Sequence, residues 1–251
     1  MTLQRGDRKK TARDYLIFAL DVPDADKARR YIRMLRGRVG LFKVGLELFV
    51  RDGRQVIDEI RTSGDADIFL DLKLHDIPAT VFRAMKNIAD MGVRLTTVHC
   101  AGQKDMLRAA LDGADGRVGV LGVTVLTSVT AEDVLEAGFA DIYARDVSLL
   151  VAKRAAMAAE CGLDGVVCSP LEAAAVKAAH GQGFMAVTPG VRPSFGAVAG
   201  DDQRRVMTPA EAVRNGADYI VIGRPIRDAA DPGQAADAVC REIEALLTAG
   251  K

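Results

Sequence analysis

The sequence predicts an α/β protein that forms a single (β/α)8 TIM barrel. Short apolar or β-branched runs alternate with longer amphipathic stretches, and there are eight such runs in 251 residues. Strands that are separated by helices pair in parallel through crossover connections, and eight such units close into a barrel of about 250 residues. We therefore expect residues 14–251 to form one barrel domain.

The order of the elements follows from this alternation. The predicted strands begin at Tyr15, Val39, Asp67, Arg94, Arg117, Asp164, Phe184 and Asp218. Amphipathic spacing predicts helices over residues 24–35, 47–61, 81–91, 147–160 and 171–180. The segments SPLE (169–172) and TPAE (208–211) each have the hydroxyl, proline and glutamate of a capping box, which marks a helix start. Gly216 favours a helix end, because glycine readily adopts the left-handed conformation.

Composition excludes several classes of partner. Lys plus Arg and Asp plus Glu number 34 each, so no net charge attracts the protein to nucleic acid or to an anionic membrane. No segment approaches the roughly 20 apolar residues that span a bilayer. The four cysteines are too widely spaced for a metal motif and indicate free thiols in the cytoplasm. We expect small-molecule ligands or self-association, with residues 1–13 as a flexible, solvated tail rather than a nucleic-acid arm.

Charged side chains recur where the first three predicted strands end. The first strand ends at Asp21, the second at Lys43 and the third at Asp71 and Lys73, with Asp76 just beyond. The carboxyl ends of barrel strands form the face where active sites lie, so these charges should converge at one mouth. Alternation along the strand places Asp71 and Lys73 on one face. An alternative for Asp76 is the N-cap of the next helix.

Lys73 lies between carboxylates two positions before it and three positions after it. Opposite charges favour its charged form, so we expect an ammonium that donates a proton or stabilises negative charge. A Schiff-base lysine needs a lowered pKa instead. The carboxylates would repel an anionic group on a substrate. The pattern therefore favours a reaction in which a negative group leaves and a carbanion is protonated in its place.

A second set of residues indicates a phosphate ester as the ligand. The last strand leads into Gly223 and Arg224, where a backbone N–H and a guanidinium can hold phosphate, and barrels often bind phosphate after strands seven and eight. Arg192 and Gln203 lie in the connection of residues 189–207, which is rich in Gly and Pro. A loop of this length is usually functional or disordered, so we predict a mobile lid over the ligand.

Other residues give weaker signals. Thr127 and Ser128 follow strand five at the same mouth, where their hydroxyls can contact a ring or its carbonyl. His75, His99 and His180 lack ligand-like spacing, and a single histidine near a strand end more often forms a local hydrogen bond than binds a metal. No GxSxG, P-loop or GxGxxG motif indicates a hydrolase, an NTPase or a dinucleotide enzyme.

These motifs resemble, in the same order, those of the bacterial orotidine 5'-phosphate decarboxylase family. The family signature DLKLHDIPxT stands unbroken from Asp71 to Thr80. Further similar segments are FALDV around Asp21, FKVGLELF around Lys43, VTVLTS ending at Ser128, TPGVR at Arg192, DDQRRV around Gln203 and YIVIGRPI around Arg224. The DxKxxD core is shared with related sugar-phosphate decarboxylases and synthases, whereas the HDIPxT continuation and the lid residues favour the nucleotide enzyme.

The resemblance implies decarboxylation of orotidine 5'-phosphate to uridine 5'-monophosphate (UMP) and CO2, the last step of de novo UMP biosynthesis, without cofactor or metal. Lys73 would protonate C6, and Asp71 would lie against the substrate carboxylate. Asp76 and Thr80 would reach the site of the neighbouring subunit, so the functional unit would be a homodimer. Asp21 and Lys43 would bind the ribose and join the charged network, with Lys43 among the catalytic residues. The other implied contacts are Thr127 near the pyrimidine, and Arg192, Gln203, Gly223 and Arg224 to the phosphate.

Three alternatives remain at this point. A related keto-sugar-phosphate decarboxylase would need Mg²⁺ and would lose activity in EDTA. An aldolase that uses Lys73 as a Schiff base would form an adduct that borohydride traps. A noncatalytic nucleotide-binding protein would bind UMP without consuming the substrate.

Overall fold

The computed structural model describes residues 10–195 and 207–249. Within these ranges eight parallel strands close into a barrel in chain order, which confirms the predicted fold. The strands are β1 Leu16–Ala19, β2 Leu41–Gly45, β3 Asp67–Leu74, β4 Leu95–His99, β5 Gly119–Val123, β6 Gly165–Val167, β7 Met185–Pro189 and β8 Tyr219–Ile222. Each predicted strand overlaps one of these.

Helices surround the barrel and connect the strands. They are α1 Ala12–Tyr15, α2 Ala25–Met34, α3 Leu46–Asp52, α4 Arg54–Ser63, α5 Pro78–Asp90, α6 Gln103–Ala114, α7 Ala131–Glu136, α8 Asp141–Arg145, α9 Val147–Cys161, α10 Ala173–His180, α11 Pro209–Arg214, α12 Arg224–Arg227 and α13 Pro232–Ala249. A short 3-10 helix, Cys100–Gly102, precedes α6. None of the described helices is both long enough and apolar enough to cross a bilayer.

The barrel interior is apolar at its base and polar at its carboxyl-terminal mouth. The interior cluster consists of Ile17, Ala19, Leu41, Phe69, Leu95, Leu121, Val187, Tyr219 and Val221. A second apolar cluster fills the space between the strands and the helices. Side chains alternate along a strand, so the residues two positions beyond Leu41, Phe69 and Leu95 also face inward. This alternation brings Lys43 and Asp71 together with Thr97 at the mouth.

Two predicted helices differ in the structure. The stretch predicted as one helix over residues 47–61 is divided at Gly53, whose φ of 53° interrupts the helix between α3 and α4. The SPLE segment forms a turn, and α10 begins only at Ala173. Half of the expected capping box is present there, because the Ser169 N–H donates to Glu172 Oε2 at 2.8 Å. The TPAE segment forms the complete box at the start of α11, as predicted.

The chain packs against the barrel from Lys10 onward. Lys10 Nζ donates to the carbonyl oxygen of Asp218 and lies 3.9 Å from the centroid of the Tyr15 ring. Burial lowers the pKa of Lys10 to about 8. Ala12 is buried in α1. The solvated tail was predicted to extend to residue 13. Residues 10–13 are instead part of the folded structure, because Lys10 contacts a carbonyl oxygen and two aromatic rings of the barrel domain.

Candidate active site

Strand β3 ends in an irregularity that presents two opposite charges. Between Leu70 and Leu74 the strand advances four residues while β4 advances two, from Thr96 to Val98. Within this bulge Lys73 adopts a φ of 52°, which is uncommon for a residue other than glycine. Lys73 Nζ lies 2.8 Å from Asp71 Oδ2. Strained backbone of this kind clusters at functional sites, where surrounding contacts hold it in place.

Four charged side chains from the first three strands form a continuous network. Lys43 Nζ lies 2.8 Å from Asp21 Oδ1 and 3.9 Å from Asp71 Oδ2, and Asp71 contacts Lys73. The side chains of Lys43 and Asp71 are each 12% exposed. Burying such groups is costly unless they are paired, and here two carboxylates balance two ammonium groups. The structure thus brings together the charges that the sequence placed at successive strand ends.

A hydroxyl that the sequence analysis did not single out completes this network. Thr97 is fully buried in β4, and its Oγ1 donates to Asp71 Oδ1 at 2.9 Å. The same oxygen accepts the backbone N–H of Lys73 at 2.9 Å. The sequence signal that could have indicated Thr97 is its position two residues after Leu95, which places both side chains on the interior face of β4. The bulge that brings Lys73 to it has no sequence signature.

The network forms one wall of a cavity of about 320 Å³ at the barrel mouth. Predicted residues that line this cavity are Asp21, Lys43, Asp71, Lys73, Thr127, Ser128, Arg192, Gly223 and Arg224. Apolar residues form much of the remaining wall, including Phe69, Val123, Val125, Leu126, Val167 and Val221. A single cavity thus combines a charged network, an apolar surface suited to a ring, and two arginines suited to an anion.

Two of the predicted site residues that the structure describes, Asp76 and Thr80, do not line this cavity. Asp76 is exposed, and its Oδ1 accepts the N–H of Ile77 at 2.7 Å. Helix α5 has Ile77 at its N-cap position, so the alternative that Asp76 caps this helix is wrong. Thr80 lies in the first turn of α5 and is half-buried. Gln203 and most of the predicted lid lie outside the described residues.

The two described ends of the predicted lid are paired with each other. Val191 and Met207 form an isolated parallel bridge, and the Arg192 N–H donates to the Met207 carbonyl oxygen at 2.9 Å. Gly190 precedes them with a φ of 82°. The connection therefore leaves and rejoins the barrel beside the cavity, and Arg192 is held where it lines the wall.

Histidine and arginine side chains lie next to the charged network. The rings of His75 and His99 are 5.7 Å apart between centroids. Burial, with the nearby charge of Arg154, lowers the pKa of His99, so its imidazole is neutral near pH 7. Arg154 donates to the Thr124 carbonyl oxygen at 2.6 Å. A neutral His99 adds no further positive charge to the region around Lys73.

Comparison with known proteins identifies the family. A sequence model of the orotidine 5'-phosphate decarboxylase / HUMPS family matches residues 14–239. The chain is a member of this family. The match spans all eight strands of the barrel, and it confirms the resemblance inferred from the motifs.

Individual members of the family match the chain over nearly its whole length. Orotidine 5'-phosphate decarboxylase from Desulfosudis oleivorans is 58% identical over 248 residues, which cover 98% of this chain and 100% of the relative. The protein of that name from Syntrophus aciditrophicus is 45% identical, covering 96% and 97% of the two chains. The crystal structure of orotidine 5'-phosphate decarboxylase from Lactobacillus acidophilus matches with a TM-score of 0.76 at 35% identity, covering 91% and 98%.

Proposed function

We propose that this protein is a carboxy-lyase that converts orotidine 5'-phosphate to UMP and CO2 in pyrimidine biosynthesis, with Lys73 as the proton donor and with no cofactor or metal. The observation that carries the proposal is the Asp71–Lys73 pair, 2.8 Å apart, in a cavity that Arg192 and Arg224 also line. The names of the most similar relatives support the same reaction.

The charged network suits both halves of this reaction. A substrate carboxylate placed beside Asp71 is repelled, and loss of CO2 removes that repulsion. The C–C bond breaks and its electron pair stays on C6 of the pyrimidine. Lys73 then donates a proton from Nζ to C6, while Lys43 keeps the local charge balanced.

The opposite side of the cavity suits the rest of the substrate. Arg192, Gly223 and Arg224 offer donors to a phosphate group, and we assign Gln203 to the same group by its position in the family motif. Thr127 lines the cavity together with the apolar residues Val125 and Leu126, where a pyrimidine ring would lie. Asp21 and Lys43 lie between these regions in our assignment and would bind the ribose hydroxyls.

We also propose a homodimer in which Asp76 and Thr80 complete the site of the partner subunit. Support comes from exposed apolar side chains beside Asp76 and on α3, the helix that follows β2. Ile77 is 66% exposed, Leu46 is 59% exposed and Val50 is 76% exposed. Each is a large apolar side chain exposed in the connection after β2 or β3, where a partner subunit would cover it.

The dimer has its own test. Ile77→Asp should shift the sedimentation coefficient to that of a monomer and lower turnover, because burying a carboxylate in an apolar contact is unfavourable. A monomeric variant with full turnover would contradict the placement of Asp76 and Thr80 in a neighbouring site.

The compartment is a further part of the proposal. We infer a cytoplasmic location, which the four free cysteines support, because thiols stay reduced there. Burial raises the pKa of the Cys100 thiol to about 12, which disfavours its reactive thiolate form.

The reaction is tested by incubating the purified protein with orotidine 5'-phosphate and following both the ultraviolet signal of the substrate and the formation of UMP. We expect conversion that EDTA does not diminish. A Mg²⁺-dependent sugar-phosphate enzyme would lose its activity in EDTA, and tight UMP binding without substrate loss would indicate a noncatalytic nucleotide-binding protein. Borohydride inactivation with a trapped adduct on Lys73 would indicate an aldolase.

A further inference from the structure

We propose that Thr97 is a positioning residue that holds the Asp71–Lys73 pair in its reactive arrangement. The proposal rests on the function proposed above, because it concerns how the proton donor is aimed. It stands on one hydroxyl group that bridges the backbone of Lys73 and the side chain of Asp71, both at 2.9 Å.

The hydrogen-bonding roles of this hydroxyl follow from its partners. The Asp71 carboxylate only accepts hydrogen bonds, so the single proton of Thr97 Oγ1 is donated to Asp71 Oδ1. The oxygen lone pairs then accept the N–H of Lys73. Asp71 Oδ2 faces Lys73 Nζ at 2.8 Å. Thr97 therefore fixes the rotation of the carboxylate, with one oxygen on the hydroxyl and the other on the ammonium.

The backbone of Lys73 needs such support. The register shift removes Asp71, Leu72 and Lys73 from residue-for-residue pairing with β4, and Lys73 adopts a left-handed conformation there. Such a conformation persists only where surrounding contacts determine it. Thr97 supplies one of these contacts from the neighbouring strand, directly at the strained residue. Loss of the Thr97 hydroxyl would remove a contact that holds the Lys73 backbone in its left-handed conformation. It would also remove a hydrogen bond that fixes the Asp71 carboxylate, which orients the Lys73 ammonium.

The adjacent residue provides a matched control. Thr96 is also fully buried in β4, and its Oγ1 donates to the Leu70 carbonyl oxygen at 2.9 Å. It faces away from the barrel interior and does not line the cavity. Thr96→Val and Thr97→Val thus remove the same atom, from the same strand, at the same depth. They differ in whether that atom contacts the charged network.

The experiment compares kcat, KM, UMP affinity and thermal stability for these variants. Thr97→Val should lower kcat about 10- to 100-fold, since a misplacement of about 1 Å at a reacting group has effects of this size. KM and UMP affinity should change little, because Thr97 is not among the residues that line the cavity. Thr97→Ser, which retains the hydroxyl, should rescue most of kcat. Thr96→Val should lose comparable stability and keep the kcat of the wild type.

The outcomes distinguish failure of the Thr97 proposal from failure of the proton-donor role of Lys73. Equal kcat values for Thr97→Val and Thr96→Val, or no rescue by Thr97→Ser, would overturn the role of Thr97. If Thr97→Val does not fold, Thr97→Ala replaces it and must show the same selective loss of kcat. Retained turnover in Lys73→Ala would instead overturn the proton-donor assignment. An inactive Lys73→Ala together with a fully active Thr97→Val would refute only the positioning role.

Discussion

Replacing Lys177 with methionine should destabilise the barrel strongly, although Lys177 lies outside the active site. Its side chain is 5% exposed, and its Nζ lies 2.5 Å from Asp218 Oδ2. The same ammonium donates to the carbonyl oxygens of Gln182 at 3.0 Å and Phe184 at 2.9 Å. Lys177 thus connects α10 to the residues that immediately precede β7 and β8, the two strands that lead to the predicted phosphate site.

The size of the effect follows from these contacts. Removing one partner of a buried ion pair costs about 3–5 kcal/mol. Here Asp218, whose side chain is 29% exposed, loses its ammonium, and the carbonyl oxygens of Gln182 and Phe184 lose this donor. For a domain of this size each kcal/mol lowers Tm by about 2–4 °C, so Lys177→Met should melt roughly 6–20 °C below the wild type. Circular dichroism at matched scan rates gives the comparison.

An exposed ion pair provides the control. Lys104 Nζ lies 2.6 Å from Glu160 Oε1, but the two side chains are 44% and 58% exposed. Such pairs contribute about 0.2–1 kcal/mol, so Lys104→Met should shift Tm by less than about 4 °C. If the two variants have the same Tm, the buried pair does not contribute more to stability than the exposed pair, and this prediction is wrong.

Three further predictions concern the site and its surroundings. Arg224→Ala should lower kcat/KM roughly 10- to 100-fold through loss of a charged hydrogen bond to phosphate, and an unchanged value in steady-state kinetics removes Arg224 from the site. Gly45→Ala places a Cβ 3.1 Å from Lys43 Nζ and 3.4 Å from Asp21 Oδ1, so it should lower kcat/KM with little change in Tm; full activity would show that the network tolerates displacement. The pKa of His99 is below its usual 6.5, so the unfolded chain binds its proton first and stability is lost as pH falls below 6.5. His99→Gln should therefore show a smaller loss of unfolding free energy than the wild type between about pH 7 and pH 5, and equal losses would contradict the assignment.

The barrel could be predicted from sequence because its signals are local. Apolar strand runs and amphipathic helices repeat at the spacing that parallel crossovers need, and the TPAE box marks the start of α11 as expected. The convergence of Asp21, Lys43 and Asp71 also follows from topology, since carboxyl ends of barrel strands share one face. These inferences need only periodicity and chain order.

Other features depend on tertiary contacts that periodicity does not encode. The left-handed conformation of Lys73 and the role of Thr97 arise from a register shift between β3 and β4, and nothing in the local sequence marks such a shift. Lys10 belongs to the fold because it contacts the Asp218 carbonyl oxygen and the Tyr219 ring, which are distant in the chain, as well as the nearby Tyr15 ring. Asp76 resembled a helix cap by its spacing alone, yet the N-cap position is Ile77.

The proposed function depends on Lys73 as the group that delivers the proton that replaces CO2. The most direct test is Lys73→Ala, with turnover of orotidine 5'-phosphate and affinity for UMP measured on the same preparation. A group that acts in the transition state contributes to kcat more than to uniform binding. We expect turnover to be lost while UMP still binds with largely unchanged affinity. A kcat close to that of the wild type would contradict the role of Lys73 as the proton donor.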